Sequence, residues 1–116
     1  GAHYDHLGYG HSGSLHDGDK EIHNGADDNA SGVSILINLA DELADNKEYN
    51  YLFIAFSGEE HGLLGSSYYA KNPTIDLKTV RFMINFDMVG RLNDDKALAL
   101  NGVGTSSCWD DLTDKA

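Results

Sequence analysis

Positive charge is scarce in this 116-residue chain: eight Lys and Arg stand against nineteen Asp and Glu, for a formal net charge of −11. Phosphate backbones are gripped by clusters of Lys and Arg, so nucleic acid is excluded as a partner. Cysteine occurs once, at Cys108, which rules out an internal disulfide and leaves the redox compartment unread. No stretch approaches the roughly twenty apolar residues that a membrane-spanning helix needs. The first residues lack the charged and apolar regions of a signal peptide. Instead the chain opens on polar, ligand-type residues, "GAHYDH", with no element before them to hold them in place. A free terminus is normally poorly ordered, which predicts that these residues belong to a larger domain.

What is present suffices for one modest domain, since 41% hydrophobic and 9% aromatic residues can bury a core. Most of the acidic excess reads as a solvated surface; some of it can be balanced by bound cations. Residues 7–24, "LGYGHSGSLHDGDKEIHN", carry no periodicity and predict a long surface loop. Next, Val33, Leu36, Ile37, Leu39, Ala40, Leu43 and Ala44 recur at helical spacing behind an Asp/Asn/Ser cluster, which predicts a helix over 30–44. "NYLFIAF" (50–56) and "VRFMINFDMVG" (80–90) are continuously apolar and predict buried strands, with "KALALNG" (96–102) a shorter one. "GLLGSSYYAKN" (62–72) predicts a short helix closed by Asn72-Pro73, and "TSSCWDDLTDKA" opens like another. Alternating strands and helices predict an α/β layer fold around a largely parallel sheet.

Ligands bind such sheets beyond the carboxyl ends of the strands, and the polar residues collect there. His3 and Asp5 follow a first strand, Glu59 and Glu60 the second apolar run, and Asp87 closes the third. Asp27 and Asp28 open the first helix. A metal-binding imidazole usually donates its other N–H to a carboxylate, which suits His3 and Asp5, although the tripeptide alone also suits an exposed turn. Asp27 and Asp28, each taken alone, read first as helix caps; as an adjacent pair they also suit carboxylates bridging two cations. Neighbours such as Glu59 and Glu60 point different ways, so one can hold a metal while the other stays free as a base. Asp87, among Phe86, Met88 and Val89, is costly to bury without a partner. A His/Asp/Glu donor set suits zinc better than calcium, and "DGDK" and "NDDK" do not continue into calcium loops.

Four stretches in order across residues 1–91, "GAHYDHLG", "NGADDNASG", "FSGEEHGLLGS" and "NFDMVGR", resemble the co-catalytic two-zinc aminopeptidases of the M28 peptidase family. The resemblance implies a three-layer, phosphorylase/hydrolase-like fold: a largely parallel mixed sheet with helices on both faces. It implies that residues 1–116 are a partial catalytic domain, without N-terminal strands and the C-terminal third. By resemblance His3 is a zinc ligand, Asp5 its orienting carboxylate, Asp28 the bridging ligand, and Asp27 a neighbour. Glu59 matches the general base, Glu60 the ligand of the other zinc, and Asp87 the remaining ligand of the first. The implied reaction is hydrolysis at peptide or protein N-termini with two Zn2+ ions, and family habit favours an exported protein. The family's last zinc ligand is a histidine well downstream of the Asp87 motif, and this chain has none after His61. One metal should therefore bind better than two, and the chain alone should be feeble or inactive. His6, His11, His16, His23 and His61 could in principle substitute for that downstream histidine, but the loop histidines are expected to face solvent. A carboxypeptidase-type enzyme, a glutaminyl-cyclase-like relative and a non-catalytic receptor module are the competing readings; the retained "HYD" argues against the cyclase and the Glu59–Glu60 pair against the module.

Overall fold

The computed structural model describes residues 1–10, 12–92, 94, 96–107, 109 and 111. Two short parallel strands, β1 (Ala2–His3) and β2 (Ala55–Phe56), pair with Ala2 opposite Ala55 and His3 opposite Phe56. The ladder extends at both ends, where Ala2 donates to Ile54 O at 3.2 Å and Tyr4 to Phe56 O at 3.0 Å. On the other side of β1, Gly1 donates to Ile84 O at 2.6 Å and accepts from Phe86 N–H at 2.9 Å. One residue bonded to two positions flanking a third is the pattern a parallel neighbour makes. The start of the chain therefore lies between residues 54–56 and 84–86, and all three segments end at the same edge.

Helix α1 (Gly32–Glu42) begins and ends inside the predicted 30–44, and packs on β1. Leu36 is buried and Val33, Ile35, Leu39, Ala40 and Leu43 are partly covered, which is the inward stripe of a 3.6-residue period. Ile37, placed in that stripe by sequence, is 65% exposed instead. Helix α2 (Leu64–Lys71) lies within the predicted 62–72 and follows β2 after a turn through Gly58, whose φ of +70° suits glycine.

The apolar runs depart from their predicted burial. Only two residues of 50–56 form a strand, and Leu52 is 51% exposed. Within 80–90 no strand is assigned, and Phe82, Met83 and Ile84 are exposed. The 96–102 segment has no strand among its described residues. Continuous apolarity records what a strand can bury; burial requires a layer on each face, and α1 packs chiefly on β1, touching the 80–90 segment only at its first turn. The helix predicted after Thr105 falls largely outside the described residues.

The tightest packing lies where α1 begins. Asn29, 2% exposed, donates from Nδ2 to Phe86 O at 2.9 Å and accepts at Oδ1 from Gly32 N–H at 2.9 Å. This one side chain caps the helix and ties it to the 84–86 segment. A Cβ at Gly32 would collide with both the Asn29 amide oxygen and the Phe86 carbonyl. Gly32→Ala is therefore expected to cost about 1–3 kcal/mol of stability in urea denaturation. Gly104→Ala, with open space around its Cβ, should stay within about 0.5 kcal/mol.

Candidate metal centre

β1 delivers His3 to the middle of the cluster with 3% of its surface exposed. Nδ1 lies 3.1 Å from the main-chain carbonyl of Asp5. A carbonyl only accepts, so in the neutral ring Nδ1 carries the proton and Nε2 presents its lone pair. Nε2 lies 3.0 Å from Asp28 Oδ1, 3.4 Å from Asp87 Oδ1 and 3.9 Å from Glu59 Oε2. Even so, it makes no hydrogen bond, and among the described residues no other buried side-chain nitrogen or oxygen lacks one. A lone pair facing carboxylate oxygens is repulsive until a proton or a cation sits between them.

Asp5 holds the next strand end in place. Its carboxylate is 3.6 Å from His3 Nδ1, while its Oδ1 and Oδ2 accept from the N–H groups of Glu59 at 3.1 Å and Glu60 at 3.3 Å. The two glutamates diverge from that anchor: Glu59 reaches towards His3, and Glu60 Oε1 lies 2.7 Å from His6 Nδ1. Asp28 sits in a wide turn, Ala26–Ser31, that leaves helical geometry at Asp28 and Asn29. Its Oδ1 faces His3 and its Oδ2 faces His6 at 4.0 Å. Asp27 points elsewhere and accepts from Gly90 N–H at 2.8 Å, while Ser31 Oγ accepts from Val89 N–H at 3.1 Å. These bonds moor the loop that carries Asp87. Asp87 itself is 42% exposed, so the burial cost expected from its apolar neighbours is largely avoided.

Two donor triads result, His3–Asp28–Asp87 and His6–Asp28–Glu60, with the donor atoms of each within 4.8 Å of one another. His6 was expected to face solvent, yet its side chain is 21% exposed and turned to Glu60. The loop's return explains this: His23 N–H bonds to Gly8 O at 2.7 Å, bringing residues 23–25 alongside 6–8. His23 is partly covered, with Nε2 3.1 Å from Ser14 Oγ; His16 and His61 are exposed, and His11 lies outside the described residues. No sequence pattern distinguishes His6 from these others.

The electrostatics follow from the crowding. Burial pulls the His3 pKa down, but Asp87, Glu59, the Asp5 carbonyl and Asp28 together outweigh it and raise it. Burial raises the Glu59 pKa, helped by Asp87, Glu60 and Asp28 and opposed by His3. Both shifts favour taking up positive charge. For Asp5, burial pushes upward but is overcome by the N–H groups of Glu59 and Glu60 and by His3, so its pKa falls below the usual 3.8. A depressed carboxylate stabilises the fold above its unfolded value, and that contribution is lost as pH drops through the folded one. Asp5→Asn should accordingly be about 1–3 kcal/mol less stable than the parent at neutral pH. The gap should close in denaturation curves taken progressively below pH 3.8.

The sequence pattern of Peptidase family M28 matches residues 1–116. A probable zinc metalloprotease of Pyrenophora tritici-repentis is 40% identical over 73 residues, 62% of this chain and 15% of its own length. Aminopeptidase YwaD of Bacillus subtilis is 44% identical over 70 residues, 57% of this chain and 15% of its own length. Aminopeptidase Y of Saccharomyces cerevisiae is 35% identical over 85 residues, 72% of this chain and again 15% of its own length. The chain thus corresponds to a small part of each of these relatives, and no solved structure matches it. With the family's pattern running through all of its residues, the chain belongs to peptidase family M28.

Proposed function

We propose that this chain carries the metal centre of a zinc-dependent metallopeptidase that releases amino acids from the N-termini of peptides, with two zinc ions in the intact centre. The observation that carries the reading is His3 Nε2: buried, without a hydrogen bond, and faced by carboxylate oxygens of Asp28 and Asp87. An imidazole nitrogen with two carboxylates is a donor set zinc accepts. His3, Asp28 and Asp87 would hold the first ion, and Asp28 and Glu60 contribute to the second. Bound zinc would polarise the scissile carbonyl and lower the pKa of a water molecule.

The remaining roles fall to this chain's own groups. Glu59 belongs to neither triad, and its raised pKa suits a base that takes a proton from water and returns it to the departing amine. Asp5, through the Glu59 and Glu60 N–H groups, fixes where those two carboxylates stand. An open cleft of about 520 Å³, lined by His6, Asp28, Met88 and Arg91 among others, adjoins the triads and offers a path for peptide. We take cleavage to fall at the amino rather than the carboxyl end. Two of the relatives bear the name aminopeptidase, in line with this choice. We place the observed strands and helices in a three-layer sheet of the zinc exopeptidase type.

Two measurements test the reading. Saturating zinc should raise the thermal midpoint, since an ion at 100 times its dissociation constant adds about 2.7 kcal/mol; His3→Ala should diminish the shift to what an ion at Asp28 and Glu60 contributes. A midpoint indifferent to zinc in the parent chain would refute a metal at this site. In the zinc-loaded peptidase, Glu59→Gln should slow hydrolysis of an aminoacyl p-nitroanilide at least about a hundredfold. Its zinc content, read by elemental analysis, should match the parent's; undiminished turnover would remove Glu59 as the base.

A further inference from the structure

We infer that Asn24 is a covalent modification site, at which the side-chain amide is lost spontaneously by cyclisation onto the main-chain nitrogen of Gly25. The reaction needs only the chain and water, and it stands apart from any bound ion. The Gly25 nitrogen attacks Asn24 Cγ, the Cγ–Nδ2 bond breaks, and ammonia leaves carrying the former Gly25 amide proton. Water then opens the cyclic imide at either carbonyl, giving aspartate or isoaspartate. In isoaspartate the side-chain methylene has become part of the main chain.

Three observations place the reaction here. Asn24 is exposed, and residues 20–25 lie outside every helix and strand. Among the described residues, neither the Asn24 side chain nor the Gly25 N–H takes part in a hydrogen bond, so electrophile and nucleophile are both open. Buried Asn29 is the contrast, with Nδ2 bonded to Phe86 O and Oδ1 to Gly32 N–H. Finally, no other residue can replace Gly25 to shield its nitrogen. Its φ is +66°, and a Cβ there would lie 2.9 Å from both Asp28 O and His6 Cγ. The turn that packs against His6 therefore builds a labile pair into the sequence.

The same tight packing gives the modification a consequence. Asn24 and Gly25 stand between two anchors, His23 N–H to Gly8 O at 2.7 Å and Ala30 N–H to Gly25 O at 3.0 Å. An extra main-chain carbon between them displaces one anchor or the other. The second Asn-Gly pair, Asn101–Gly102, has no such setting: a Cβ at Gly102 would meet only Thr105 Cγ2, at 3.9 Å.

Ageing the whole chain in mildly alkaline buffer, native and in urea, tests the site. Peptide mass spectrometry locates each amide-to-acid conversion, and an isoaspartyl methyltransferase labels the rearranged product. A loop that opens at little cost should convert Asn24 within about tenfold of the unfolded rate, while native Asn29 keeps its amide. Asn24 that loses its amide in urea but retains it in the native chain overturns the inference. The consequence is read in Asn101→Gln, where one pair alone can react. Its isoaspartyl-24 fraction should unfold at a lower temperature than Asn24→Asp on the same background, which has the same charge on an unaltered main chain. Equal midpoints overturn the claimed effect on the turn. Should the substituted chains fail to fold, the ageing of the unsubstituted chain still decides whether Asn24 is the site.

Discussion

Like-charge crowding around one buried imidazole is the constraint from which the rest of the molecule follows. Asp28, Asp87 and Glu59 all lie within 4 Å of His3 Nε2. Two like charges 4 Å apart repel by about 4 kcal/mol at an effective dielectric of about 20. No arrangement of these groups is comfortable without positive charge among them. The raised pKa values of His3 and Glu59 express that need through protons, the one cation water always supplies. A divalent ion would meet the same need with more charge, taking the imidazole lone pair in the proton's place.

The backbone spends its best packing on holding these groups near one another. Apart from glycine, the most buried of the described residues are Ala2, His3 and Asn29, two of which are polar. Asn29, Asp27 and Ser31 reach across to residues 86–90, and Asp5 reaches to Glu59 and Glu60. Side chain to main chain hydrogen bonds therefore do here what a hydrophobic core does elsewhere. Such bonds fix distance and direction together, which apolar packing does less sharply. The apolar side chains of 50–54 and 80–84 contribute little to this frame, since several stand in solvent.

Much of this was legible in the sequence, and the reasons it was not elsewhere are physical. Helices α1 and α2 were placed within a residue or two by periodicity, glycine and proline, because local rules govern them. The convergence of His3, Asp28, Glu59, Glu60 and Asp87 was expected from their positions after successive elements at the edge of a parallel sheet. Strand length and burial were misread because continuous apolarity says nothing about which layers are present to cover it. His6 was misread because its neighbourhood is made by distant residues. The left-handed turn at Gly25 and the return of residues 8–23 decide where it points, and neither leaves a mark next to His6 itself.

The donors of the first triad come from three stretches of chain that sequence keeps far apart, joined side by side through the hydrogen bonds of Gly1 and Asn29 to residues 84–86. An ion grasped by all three would act as a crosslink. It closes large loops that an unfolded polymer would otherwise leave open, and the entropy of such closure grows only slowly with loop length. Metal affinity and chain order are then one quantity seen from two sides, so whatever loosens the folded backbone also loosens its hold on the ion.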